Sequence, residues 1–162
     1  MNNLFPDVLA IKRALPKGKT FALVGGCFDL LHVGHIHLLE YAASLGDILV
    51  VAVLSDEYAH AYKGSFRPVI NQQQRATMVA SVRFADFVYV SDVSPSSPDT
   101  LQLLQPDYVV FGEESRTTEK MRRRMEALTS FSPATQIRFL PRYDEEIVST
   151  SSIIEKIRSV TS

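Results

Sequence analysis

Hydrophobic residues along this chain recur in two rhythms that take turns. Short, mostly apolar runs stand at 20–24, 47–54, 87–90, 108–111 and 136–140, each bounded by glycine, proline or polar residues in the manner of strands. Between them the apolar positions fall at helical spacing. Residues 7–15 set Val8, Ile11 and Leu15 on one side ahead of Pro16 and Gly18, which stop a helix. Residues 34–44 turn Ile36, Leu38, Leu39 and Ala42 inward and meet Gly46, a C-terminal stop. Asn71 is placed to cap a helix over 71–85, because its side chain accepts from the first free N–H groups. Further helical spacing follows at Leu101 and Leu104, over 118–128, and over 150–160 with Ile153, Ile154 and Ile157 on one face.

The run at 48–54 is apolar at every position, the pattern of a strand covered on both faces and therefore of a parallel sheet. About five strand–helix alternations, with no internal repeat, predict an α/β fold: a Rossmann-like, doubly wound parallel sheet of five strands in a single domain. Residues 1–19 form an N-terminal amphipathic helix, and 20–162 the domain proper. Residues 55–68 and 92–98 read as loops.

Composition narrows the chemistry. The chain has 162 residues, 46% of them hydrophobic, and a formal net charge of −1, so it builds one core and carries no basic field for nucleic acid or an anionic membrane. The single cysteine, Cys27, closes no internal disulfide, and Met1-Asn2-Asn3-Leu4-Phe5-Pro6 lacks a signal peptide's basic start. Its longest apolar run is far short of the roughly 20 residues of a membrane span. The expected location is the cytoplasm, with no membrane and no nucleic acid as partner.

Ligands of such sheets lie beyond the carboxyl ends of the strands. The loops there begin with Val24-Gly25-Gly26-Cys27-Phe28-Asp29-Leu30-Leu31-His32-Val33-Gly34-His35. A strand that breaks at two glycines and restarts as a helix presents free N–H groups at the helix's positive end, a phosphate site. His32 and His35 are three apart and so share one face of the first helical turn, with Gly34 allowing close approach. Imidazole N–H groups in that place suit a phosphorus centre that gains charge on its oxygens. Zinc is not expected, because His32, His35 and His37 do not converge on one side of a helix. Cys27 is expected to be buried behind Gly26, and Asp29 to orient the turn through hydrogen bonds.

Gly26-Cys27-Phe28-Asp29 with His32-Val33-Gly34-His35 resembles the signature of the HxGH nucleotidyltransferase superfamily, in the branch of glycerol-3-phosphate cytidylyltransferase and the adenylyltransferase domain of the ADP-heptose synthases. Val148-Ser149-Thr150-Ser151-Ser152 resembles that family's Ser/Thr cluster, which caps the last helix and contacts the triphosphate, and Lys63-Gly64-Ser65-Phe66-Arg67-Pro68-Val69 resembles its KGxxRPV loop. The resemblance implies transfer of CMP or AMP from CTP or ATP to a phosphorylated alcohol or sugar, with release of pyrophosphate. CTP is slightly favoured. Mg²⁺ enters mainly through the nucleotide phosphates, and a homodimer is expected, with the Val8/Ile11/Leu15 face as one surface for it.

On this reading His32, His35 and Lys63 are catalytic. Gly25, Gly26, Cys27, Phe28, Asp29, Gly34, Arg83, Gly112, Glu113, Ser149, Thr150 and Ser151 bind the nucleotide. Arg75, Arg116 and Arg142 meet the acceptor. Three features depart from the pattern: Cys27 stands where threonine or valine is common, Arg142 is about two residues further from Ser149 than in the cytidylyltransferases, and Glu119-Lys120-Met121-Arg122-Arg123-Arg124-Met125 matches neither subfamily. That run reads as a solvated helix face or as the source of an acceptor-binding arginine. A nucleotide-binding module without turnover, and a flavodoxin-like electron carrier, are the other readings.

Overall fold

In a computed structural model, residues 3–64, 66–112, 116–141 and 148–160 are described. The strands are β1 (Leu4–Phe5), β2 (Phe21–Gly26), β3 (Ile48–Leu54), β4 (Phe87–Ser91), β5 (Tyr108–Phe111) and β6 (Gln136–Phe139). The helices are α1 (Val8–Ala14), α2 (Val33–Ala43), α3 (Asp56–Lys63), α4 (Gln72–Ala80), α5 (Pro98–Leu104), α6 (Glu119–Phe131) and α7 (Thr150–Val160).

All pairings are parallel, in the order β1-β4-β3-β2-β5-β6. Every residue of β3 is buried, and its side chains alternate between two cores. Leu49, Val51 and Val53 face Leu39, Ala42, Ala76 and Val79 of α2 and α4. Ile48, Val50 and Ala52 face Ile11, Leu101, Leu104 and Leu128 of α1, α5 and α6. The doubly wound layout thus follows from the continuous apolar run. From β2 the chain moves to β3 on one side, and β5 lies on the other, so the sheet's switch point falls between β2 and β5.

The sheet has six strands where five were expected. The sixth, β1, is two residues long: Leu4 pairs with Val88 and Phe5 with Tyr89, while Phe5 stacks on Phe87 with ring centroids 5.1 Å apart. So short a segment carries no periodicity. The face of α1 is also occupied, since Ile11 is fully buried and Val8 and Leu15 pack beside it, which removes it as a surface for a second subunit. Residues 56–63 form α3 rather than a loop; Ser55 caps it by accepting from the Tyr58 N–H at 3.2 Å. Helix α4 stops at Ala80, capped by Ser81, five residues before the expected end. Among the described residues no helix is long and apolar enough to cross a membrane.

Candidate active site

The turn from β2 into α2 is held in a conformation that costs energy by itself. Phe28 and Leu30 have φ of 52° and 48°, the left-handed region that non-glycine residues rarely adopt. Contacts from three other elements hold it. The Asp29 carboxylate, 1% exposed, accepts from Arg67 Nε at 2.9 Å and from the Val69 and Ile70 N–H groups at 3.0 Å. The Asp29 carbonyl accepts from Thr150 Oγ1 at the start of α7, at 2.8 Å. The Cys27 carbonyl accepts from Arg75 Nη1 of α4. Burial alone would raise the Asp29 pKa; the two backbone N–H groups and then Arg67 overcome it and hold the carboxyl below its usual value.

Past this turn His32 is the residue before α2. His35 Nδ1 accepts from the His32 backbone N–H at 3.4 Å. The two rings stack with centroids 3.8 Å apart and 27° between planes, and Phe28 tilts against His35 at 5.4 Å. An Nδ1 that accepts places the neutral ring's proton on Nε2. The pair therefore shares one face at the helix's positive end, as its spacing implies.

A cavity of about 260 Å³ opens beside His35 at the switch point. Its lining comes from the 25–28 turn, from Ser94, Pro95 and Ser96 after β4, from Phe111 and Gly112 at the end of β5, and from Met121 and Arg124 of α6. Gly25 is needed here for packing: a Cβ would lie 2.2 Å from Pro95 Cγ. Cys27 is buried, as expected.

A family model described as cytidylyltransferase-like matches residues 23–156. The chain belongs to that family. Among curated relatives, a bifunctional protein HldE of Helicobacter pylori strain 26695 is 33% identical over 160 residues, covering 98% of this chain and 32% of that protein. Another, of Geotalea uraniireducens, is 36% identical over 155 residues, covering 94% of this chain and 30% of its own. The chain thus spans about a third of the length of these relatives. Among solved structures, a lipopolysaccharide core biosynthesis protein from Thermoplasma volcanium aligns with a TM-score of 0.65 at 24% identity, covering 78% of this chain and 100% of that one. A pantothenate synthetase from Thermus thermophilus aligns at 0.62 and 16%, covering 94% and 70%. At these identities the solved structures carry the fold alone.

The sequence-assigned residues do not all come together. His32, His35, Gly34, the 25–29 turn and Gly112 lie at the carboxyl edge. The helix α7 joins them there through Thr150, while Ser149 and Ser152 cap α7 reciprocally: Ser149 Oγ accepts from the Ser152 N–H at 3.0 Å and Ser152 Oγ from the Ser149 N–H at 2.9 Å. Ser151 is exposed on the same first turn.

Two arginines have other places. Arg75, assigned to the acceptor, is fully buried. Besides Cys27, its guanidinium donates to the Ile70 and Leu54 carbonyls at 2.8 Å and to Asp56 Oδ1 at 2.7 Å. It joins the ends of β2 and β3 to the 67–70 segment and has no geometry left for a substrate. Arg83, assigned to the nucleotide, lies between α4 and β4, at the amino edge of the sheet. It is 80% exposed, 3.9 Å from Glu40, with its guanidinium over the Phe84 ring. Arg116 is exposed with its guanidinium 5.4 Å over Phe139. Glu113, Arg142 and the side chain of Lys63 lie outside the described residues.

Arg67, which pins Asp29, was not assigned beforehand, and Arg124 was anticipated only as one of the arginines in the 119–125 run. The basic run on α6 divides. Arg122 pairs with Glu119 at 2.7 Å and with Glu126, and Arg123 with Glu119 at 3.0 Å, all on the solvated face. Arg124 lines the cavity. Its signal was in the sequence: the residues three and four away are Lys120, Met121, Ala127 and Leu128, with no carboxylate among them.

Proposed function

We propose that this chain is a nucleotidyltransferase that moves a nucleoside monophosphate from ATP to a phosphorylated sugar or alcohol and releases pyrophosphate. An oxygen of the acceptor's phosphate attacks the α-phosphorus; the bond to the β-phosphate oxygen breaks, and pyrophosphate leaves with that electron pair. The acceptor phosphate is already ionised near neutral pH, so no general base is needed. His32 and His35 donate to the oxygens that gain charge, and the first N–H groups of α2 and α7 hold phosphates. Lys63, at the end of α3, neutralises triphosphate charge. The observation that carries this reading is the stacked His32–His35 pair on a turn over-determined from three elements.

Among the described residues no group of three or more His, Cys, Asp or Glu side chains is arranged to hold a metal ion, and Asp29 is engaged by Arg67 and two N–H groups. These residues fit a Mg²⁺ that arrives on the nucleotide phosphates, where it neutralises their charge. ATP is placed first because the HldE relatives are ADP-heptose synthases and the 63–69 loop resembles theirs. The second reading is CTP, which the family description favours. A cytoplasmic location and homodimerisation belong to the same proposal.

A pyrophosphate-release assay over ATP and CTP, each with glycerol 3-phosphate, sugar 1-phosphates and the matching unphosphorylated compounds, tests it. Release that requires both a triphosphate and a phosphorylated acceptor is expected. Tight nucleotide binding with no release across that panel contradicts it and favours a module without turnover.

A further inference from the structure

The geometry points to Arg124 as the residue that receives the acceptor's phosphate. This rests on the nucleotidyltransferase reading above and assigns the half of the site which that reading leaves open.

Helix α6 faces solvent with Arg122 and Arg123, whose charges are met by Glu119 and Glu126. Arg124 is on the opposite side with Met121 and Leu128, both 2% exposed. It is half-buried, its guanidinium lies 5.6 Å over the Phe111 ring, and Nη2 donates to Ser94 Oγ at 3.3 Å. A π face and one long hydrogen bond orient a guanidinium without neutralising it. No carboxylate among the described residues is within ion-pair distance of it. A half-buried cation so placed gains most from an anion that accepts from both arms of its fork, and a phosphate monoester has the matching geometry.

Position selects the acceptor over the nucleotide. The α7 N-terminus meets the histidine turn through Thr150, yet no residue of α7 lines the cavity among the described residues. His35 of that turn lines the cavity that also holds Arg124. At about 260 Å³ the cavity is smaller than the roughly 300–1,000 Å³ clefts that enclose drug-sized ligands. It suits a compact phosphorylated acceptor better than a whole nucleoside triphosphate. Bringing a phosphate dianion up to a triphosphate also calls for a cation, and Arg124 lines the same cavity as His35.

Inorganic phosphate is the probe, titrated by calorimetry into full-length protein saturated with Mg²⁺ and α,β-methylene ATP, and in parallel with the CTP analogue. Arg124→Gln is expected to weaken phosphate binding about ten- to a hundredfold, Arg124→Lys less, and Arg122→Gln not at all. Affinity for the nucleotide analogue stays unchanged in all three, and the acceptor KM rises in the first two. Wild-type protein that binds no phosphate, Arg124 variants that bind it as wild type does, or variants that lose nucleotide affinity overturn the assignment. The two proposals fail differently. Pyrophosphate release with an acceptor KM untouched by Arg124→Gln overturns the assignment alone. Arg124-dependent phosphate binding without any pyrophosphate release overturns the nucleotidyltransferase chemistry alone.

Discussion

The two sides of the cavity hold their polar groups in opposite ways. On the β2–α2 side every anchoring group is bound within the protein: Arg75 by three carbonyls and Asp56, Asp29 by Arg67 and two N–H groups, and the Asp29 carbonyl by Thr150. On the α6 side Arg124 has an aromatic ring and a serine hydroxyl. The contrast separates two uses of charge. A charge answered inside the fold fixes geometry, here two left-handed residues that would not hold their conformation unaided. A charge that is oriented and meets no carboxylate among the described residues is disposed toward something outside the fold.

The sharpest way to break the comparison is Arg75→Met. It leaves the buried Cys27 and Leu54 carbonyls, the part-buried Ile70 carbonyl and Asp56 without their donor, and a loss of about 3–5 kcal/mol is expected in urea denaturation. If Arg75 were a substrate ligand, stability would change little and acceptor binding would suffer instead.

Asp29→Asn comes next, with a loss of about 3 kcal/mol at neutral pH because Arg67 keeps its charge without a partner. Its pH dependence has a definite sign. The carboxyl of Asp29 is held below its ordinary value of 3.8 in the folded state, so its stabilisation is complete above the unfolded pKa near 4 and is lost as pH falls through the folded pKa. Stability measured from pH 6 down to pH 2 should fall steeply below about pH 4 in the wild type and more shallowly in Asp29→Asn.

Thr150→Val is the smallest of the series. It removes one hydroxyl from the Asp29 carbonyl, with an expected cost of about 1–2 kcal/mol. Because the lost contact ties α7 to the histidine turn, the KM for the nucleotide should rise while the acceptor KM stays put. A rise in the acceptor KM alone would blur the division of the site into two sides.

Much of this layout was legible in the sequence, for physical reasons that differ from residue to residue. The all-apolar run of β3 has one structural meaning in a chain this size, a strand covered on both faces, and the sheet followed from it. His32 and His35 were legible because three-residue spacing at a helix start dictates a common face. Helix α3 was missed because Asp56-Glu57-Tyr58-Ala59-His60-Ala61-Tyr62-Lys63 is short and mostly polar; the Ser55 cap was its one signal. Arg75 misled because a charged residue on a helix reads as solvated or functional, whereas its burial depends on carbonyls from three separate segments that no local pattern reveals. Arg83 was avoidable: a residue between a helix and the next strand sits at the amino edge, away from any site at the carboxyl ends. Arg124 shows the reverse, since the absence of acids three and four residues away already set it apart from Arg122 and Arg123.

The central claim is that the pinned turn exists to aim His32 and His35 at the α-phosphorus. Its most direct test is the rate of pyrophosphate release by His35→Ala with ATP or CTP, Mg²⁺ and the phosphorylated acceptor that the wild type uses, alongside its melting temperature. The account predicts a rate lower by about 10²–10³-fold, the cost of one transition-state donor, with melting close to that of the wild type. Release at the wild-type rate by a well-folded His35→Ala protein would contradict it.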